Sequence, residues 1–255
     1  MANILKILMC LALLFAYVTC LTCSTVTSPS INVNQIVMGA NTITVSDYNG
    51  YLKSSHRNTV SWTAKSLPNN MAAQYISSGV NDDLCAIDQN YAIQCVKYGY
   101  TTWVNVPAPL TSGYIVQIGI YAYGNNAMVV SDSYMNSFLY GSGSWSEIGT
   151  AANNPMVSVD IASDGTIVGV NAAGNTYQYN GTPDSWTQTS SGLGMVQVAA
   201  GASVSDMAAV SFDYPFIDYI KSSGSFTQFS TTKSNLGILN GIVYATDGTN
   251  VYICQ

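Results

Sequence analysis

The sequence predicts an all-β fold, a six-bladed β-propeller closed by an N-terminal strand that completes the last blade, on three observations. An aromatic residue recurs at Trp62, Trp103, Trp145, Trp186 and Phe226, in steps of 41, 42, 41 and 40 residues, and this column uses all four tryptophans of the 255-residue chain. A second column of six places a polar turn after an apolar strand end: Val45-Ser-Asp47, Ile87-Asp88, Val130-Ser-Asp132, Val170-Asn171, Val210-Ser-Phe-Asp213 and Ala245-Thr-Asp247. Third, each unit shows strand-type alternation broken by Asn, Asp and Gly, and helix signals are nearly absent. A period near 40 residues built from short strands is the signature of radially packed antiparallel sheets.

Taken in chain order, the first element is not part of the fold. Met1 to Lys6 is a short basic start, Ile7 to Val18 is an apolar run of 12 residues, and small residues follow, so residues 1–20 read as a signal peptide and residues 21–255 as one propeller domain. The apolar run falls well short of the roughly 20 residues that span a bilayer. No other stretch is apolar enough to insert, so the mature chain is expected to be secreted and extracellular. Next, TVTSPSINVNQI (25–36) aligns without a gap on TQTSSGLGMVQV (187–198), which makes the mature N-terminus an outermost strand lacking the three strands before it.

The repeat is clearest in the fourth unit. There VSVDI (157–161), TIVGV (166–170), TYQY (176–179) and WTQT (186–189) read as four successive strands, rich in β-branched and aromatic residues. NAAGN (171–175) and SDYNG (46–50) supply the hairpin chemistry between second and third strands. The last unit, GILNGIVYATDGTNVYICQ, has enough chain for three strands and stops at Gln255. Pairing the two ends completes the sixth blade and removes two open edges.

With the signal peptide removed, Cys23, Cys85, Cys95 and Cys254 remain, an even number suited to an oxidising compartment. Four thiols allow three connectivities, and the strand assignment selects among them. Cys254 ends the last strand and Cys23 begins the borrowed one, while Cys85 and Cys95 stand opposite each other in one hairpin. The expected bridges are Cys23–Cys254 and Cys85–Cys95.

Charged residues make up only 8% of the chain, against roughly 25% in ordinary soluble domains, and the polarity is carried by Ser, Thr, Asn and 18 Tyr. A net charge of −6 with seven Lys and Arg leaves no basic stripe, so nucleic acid is not expected as a partner. The single histidine, His56, lies in KSSHRN with no partner nucleophile or carboxylate, and no phosphate loop or His/Cys metal spacing occurs. Neither an enzyme nor a cofactor or metal is expected.

The stretch IVGVNAAGNTYQYN…SWTQTSSGLGMVQVAAG (167–201) resembles the repeat of the tectonin and tachylectin-type β-propeller lectins, carried by Val168, Gly169, Val170, Asn171, Gly174, Tyr177, Tyr179, Trp186, Gly192, Leu193 and Val198. The other units match more loosely: the Val-Asn pair becomes Val-Ser-Asp or Ile-Asp, and Trp becomes Phe226. The resemblance implies an extracellular lectin that recognises cell-surface or microbial glycans. Aromatic faces with Asn, Asp and hydroxyl groups suit neutral sugars, and repeated weak sites on a ring would act through avidity.

The candidate ligand contacts are the turn column Asp47, Asp88, Asp132, Asn171, Asp213 and Asp247, with Tyr48, Tyr134 and Tyr214 as stacking partners. The same carboxylates equally suit turns that bond to their own backbone. The tryptophans read as wedges between blades rather than as sugar platforms. Asn180, in Asn-Gly-Thr, is the one glycosylation sequon. The competing expectation is a structural glycoprotein of an extracellular coat, cyst or spore wall or matrix, without a selective sugar pocket.

Overall fold

A computed structural model describes residues 23–59, 61–122, 127–211, 218–222, 225–230, 234–239 and 242–254. Residues 1–20 and the candidate ligand contacts Asp213 and Tyr214 lie outside the described residues. The fold is an all-β propeller. Among the described residues the strands form six four-stranded sheets, each paired antiparallel throughout. The first is built from Val33–Met38, Thr42–Asp47, Leu52–His56 and Thr63–Lys65. The next four follow in sequence over 73–106, 115–149, 156–190 and 195–230, and the sixth joins 234–254 to 23–27.

The first strand of each sheet lies innermost. These strands pack on one another in cyclic order, Val33–Met38 on Ala73–Ser78, then Ile115–Ala122, Met156–Ile161, Met195–Ala200 and Ser234–Leu239, and the last returns to the first. In the sixth sheet the two chain ends meet as neighbouring strands, with Cys23 opposite Cys254, Ser24 opposite Ile253 and Thr25 opposite Tyr252. Both expected bridges are present, Cys23–Cys254 across 231 residues and Cys85–Cys95 across 10. In the chain-entropy account, a bridge across so long a loop contributes more than one inside a hairpin.

The strand readings for the fourth sheet hold to within one residue at every boundary: Met156–Ile161, Ile167–Asn171, Thr176–Tyr179 and Trp186–Ser190. Apolar faces meet between consecutive sheets. Cys85, Ile87, Ile93 and Cys95 of the second sheet pack with Ile115, Ile118, Met128 and Phe138 of the third. Val168 and Val170 of the fourth pack with Met195, Val198 and Met207 of the fifth. Each sheet thus buries its apolar faces only because it has neighbours, which is why the sequence repeats.

One regularity is not visible as a sequence pattern. Every innermost strand slips register just after its first residue: between Val33 and Gln35, Ala73 and Tyr75, Ile115 and Gln117, Met156 and Ser158, Met195 and Gln197, and Ser234 and Leu236. A bulge inserts one residue and re-aims the side chains beside it. Here it sets Gln35, Tyr75, Gln117 and Gln197 around the mouth of the central channel, a cavity of about 420 Å³.

Candidate functional site

The turn column between second and third strands is held by its own side chains. Asp47 Oδ1 accepts the N–H of Asn49 and of Tyr51, both at 2.9 Å. Asp88 Oδ1 accepts those of Asn90 at 2.8 Å and Ala92 at 3.1 Å. Asp132 Oδ1 accepts those of Tyr134 and Asn136, both at 2.9 Å. Asn171 Oδ1 accepts those of Ala173 at 3.1 Å and Asn175 at 3.0 Å. All four hairpins share this pattern, and the residue three places after the Asx takes a left-handed conformation: Gly50, Tyr91, Met135 and Gly174. Asp47, Asp88 and Asp132 are buried. Their carboxylates are occupied in the turns, which leaves the side chains between them to face solvent.

The sixth sheet varies the theme. Asp247 Oδ1 accepts the N–H of Thr249 and Asn250, and Oδ2 accepts the Tyr252 hydroxyl at 2.5 Å. Burial pushes this carboxyl upward, but the hydrogen bonds from Tyr252, Asn250 and Thr249 outweigh it and hold Asp247 well below the usual carboxylate range.

What solvent meets at the second and third sheets is tyrosine. Tyr91 and Tyr114 stack with ring centroids 4.3 Å apart at a 34° tilt, and both are about half exposed. Tyr75, at the channel mouth, has its hydroxyl pushed above the ordinary value by burial and by Tyr114 and Tyr91 beside it. Tyr134 is 57% exposed, and a Cβ on Gly113 would lie 2.9 Å from its ring, so the connector passes beneath it with no room for a side chain. The Thr111 hydroxyl donates to Asp132 Oδ2, and the Ser133 N–H donates to the Tyr114 carbonyl at 2.9 Å. Asp132 therefore shapes its own turn and also ties down the connector that carries Tyr114.

Tyr91 stands where Gly50 and Gly174 stand in the first and fourth hairpins, at φ 62°. A bulky residue in the left-handed region costs roughly 1–2 kcal/mol. Such positions persist where the surrounding structure holds them, and they cluster at binding surfaces. Of the tyrosines singled out from sequence, Tyr134 belongs to this group. Tyr48 is 74% exposed on the first sheet's turn and makes no ring contact with a described residue.

The tryptophans sit at sheet junctions. Trp145 Nε1 donates to the Pro107 carbonyl at 2.6 Å and Trp186 Nε1 to the Ile148 carbonyl at 3.0 Å, each reaching the end of the preceding sheet. Tyr140 and Tyr179 tilt against them at 5.0 and 5.2 Å. At the fifth junction Phe226 replaces Trp, and the buried Lys221 ammonium lies 5.6 Å from its ring. Desolvation lowers the Lys221 pKa. Asn180 is exposed, and its amide donates to the hydroxyls of Ser185 and Thr187 at 3.2 and 3.0 Å.

Deeper in the channel is Asp160, at an innermost position occupied by Val37, Ser77, Gly119 and Ala199 in neighbouring sheets. Its side chain keeps some contact with the channel space but is packed round by protein. Burial raises it to about 7, against the pull of the N–H groups of Ala200 and Ile161, which donate to its two oxygens at 2.8 and 2.9 Å. Among the described residues no three His, Cys, Asp or Glu side chains group as metal ligands, and no helix is long and apolar enough to cross a membrane.

Sequence reasoning passed over Tyr75, Tyr91 and Tyr114. Aligning the hairpins position by position exposes Tyr91 as the residue standing in for glycine; nothing in the sequence brings Tyr75 or Tyr114 to it.

No family model and no curated protein matches the sequence. Solved structures resemble the fold. A catalytically inactive virginiamycin B lyase from Staphylococcus aureus, with quinupristin, has a TM-score of 0.61 at 12% identity, covering 88% of this chain and 80% of that one. YCF48 bound to D1 peptide has a TM-score of 0.56 at 10% identity, covering 93% and 96%. YCF48 from Cyanidioschyzon merolae has a TM-score of 0.55 at 12% identity, covering 90% and 82%. Likeness at such identity carries the propeller fold and nothing of activity or partner.

Proposed function

We propose that this chain is a secreted, non-enzymatic lectin whose six sheets act as one six-bladed wheel and present glycan-binding aromatic surface on the hairpin rim. The observation that carries this reading is the tyrosine shelf, the half-exposed rings of Tyr91, Tyr114 and Tyr134 with the partly buried Tyr75 beside them, on a surface poor in charge. Sugar rings present apolar C–H faces and hydroxyl edges, and tyrosine offers a flat apolar face with one polar tip. Two disulfides accord with an oxidising, extracellular setting. The resemblance of residues 167–201 to tectonin-type repeats supports the same class.

The shelf also narrows the expectation of repeated equivalent sites. Asp47, Asp88 and Asp132 serve their turns, so the polar column supplies geometry and the tyrosines supply the contact. The candidate ligand residues are then Tyr91, Tyr114, Tyr134 and Tyr75, with Asp132 positioning the connector.

A glycan array probed with the intact secreted chain tests this. Tyr91→Gly keeps the left-handed turn and removes the ring; it is expected to raise stability by about 1 kcal/mol while abolishing array signal together with Tyr114→Ala. A blank array for the wild-type protein, with incorporation into an insoluble wall or matrix, would establish the structural-coat reading in its place. That reading draws on the absence of a repeated solvent-facing polar column among the described turns.

A further inference from the structure

We infer a second binding site, separate from the tyrosine shelf: the cleft between the first and second sheets takes a sugar unit bearing one anionic group, a sulfate or a carboxylate. The cleft encloses about 320 Å³. That lies at the small end of ligand sites, which run from roughly 300 to 1,000 Å³. None of the shelf tyrosines lines the cleft: its walls are Thr42 and Thr44, residues between Ser54 and Lys65, Asp82 and Leu84, and Val96 to Gly99.

Three features define the ligand. The first is charge: the chain is acidic overall, yet Lys65 and Lys97 both line this one cleft with His56. Neither side-chain ammonium has a hydrogen-bond or ion-pair partner among the described residues. The cleft's own carboxylate, Asp82, is buried and takes its hydrogen bonds from Asn41 and Thr42, so it forms no ion pair with either lysine. Its Oδ1 accepts the Asn41 and Thr42 N–H groups and the Thr42 hydroxyl, and its Oδ2 accepts the Asn41 amide. The adjacent Asp83, also buried, accepts the Tyr98 N–H at 3.0 Å. His56, also in the cleft lining, accepts the Asn58 N–H at Nδ1, which leaves Nε2 as the donor of the neutral ring.

The second feature is the hydroxyl lining. Ser54, Thr59, Ser61 and Thr63 supply groups that both donate and accept, matched to the ring hydroxyls of a sugar. The third is Tyr98, 55% exposed at the rim, an aromatic face on which a pyranose ring can rest while its anionic group lies between the two ammonium groups. A bare inorganic anion would use the lysines and leave the hydroxyl wall and the ring idle. A neutral sugar would leave the lysines idle.

The test follows amide resonances of the full secreted chain by NMR during titration with N-acetylglucosamine 6-sulfate, glucuronic acid, N-acetylglucosamine and inorganic sulfate. Both charged sugars are expected to shift Thr59, Lys97, Tyr98 and Gly99. The neutral sugar and the inorganic ion should each bind at least about tenfold more weakly, the worth of one charge-assisted contact. If only the sulfated sugar binds, the anionic group is a sulfate; if only the uronic acid binds, a carboxylate. Lys65→Gln with Lys97→Gln should weaken charged-sugar binding by about tenfold or more and flatten its salt dependence, with the melting temperature unchanged. Tyr91→Gly should leave this site's affinity unaltered, so loss of shelf binding and loss of cleft binding are separable. Equal affinity for charged and neutral sugars, or no perturbation in the cleft, overturns the inference.

Discussion

The fourth and sixth sheets share one four-stranded design but are made in different ways. The fourth is a single run of chain, 156–190, in which hairpins set each register. The sixth is stitched from the two ends, and where the fourth has the peptide link 180–185, the sixth has the Cys23–Cys254 bridge. The channel carboxylate of the fourth and the turn carboxylate of the sixth are also perturbed in opposite directions. Asp160 of the fourth sheet is raised by burial in the channel, whereas Asp247 of the sixth is depressed by the hydrogen bonds of its turn. The difference shows that equal topology does not mean equal vulnerability: the continuous sheet carries a buried carboxylate sensitive to neutral pH, and the stitched sheet is the one open to reduction.

The largest expected effect is at the stitch. Replacing Cys23 and Cys254 together by Ser should cost about 4–5 kcal/mol, against about 2–3 kcal/mol for Cys85 and Cys95, because the first bridge closes nearly the whole chain. Thermal melting gives both losses, and hydrogen exchange should localise the first to residues 23–27 and 251–254. Equal losses for the two pairs would break the comparison.

Next in size is the buried carboxylate. Between its unfolded value near 3.8 and its folded value of about 7, Asp160 is protonated in the folded chain and ionised in the unfolded one. Stability should therefore rise as pH falls through that window and be lost as pH climbs through 7. At roughly 1.4 kcal/mol per unit the ceiling is about 4 kcal/mol, reduced by any water in the channel. Asp160→Asn should flatten the melting temperature between pH 4 and 7. A wild-type profile already flat there would remove Asp160 from the account.

The smallest effect is at Asp247. Its depressed value means stability present above about pH 4 and lost as pH falls further. The side chain is exposed, so solvent screens the interaction, and Asp247→Asn should cost under about 1 kcal/mol, confined to the difference between neutral and acid melting curves. A loss that persists unchanged at pH 2 would mean that the turn depends on side-chain shape rather than charge.

Much of this was legible along the chain. The strands of the fourth unit, the pairing of both ends and both bridges follow from period, alternation and turn residues, because those signals are local and repeat. The wedge role of Trp145 and Trp186 was likewise readable from their spacing. The site was less legible. Asp88 and Asp132 carry the expected chemistry, but burial turns it inward, and burial is not written at a single position.

What the sequence by itself determined is the repeating unit: how long it is, where each strand turns, and that the last unit lacks a strand which the first residues supply. Only tertiary structure decided what meets across units. The register slip in each innermost strand, the approach of Tyr75 and Tyr114 to Tyr91, the isolation of Asp160 in the channel and the gathering of Lys65, Lys97 and Tyr98 around one cleft all depend on how twisted sheets pack about an axis. Most neighbours in that packing lie within about one repeat in sequence, while the first and sixth sheets meet from opposite ends of the chain, and nothing in a side chain's own identity records which partner lies across the gap.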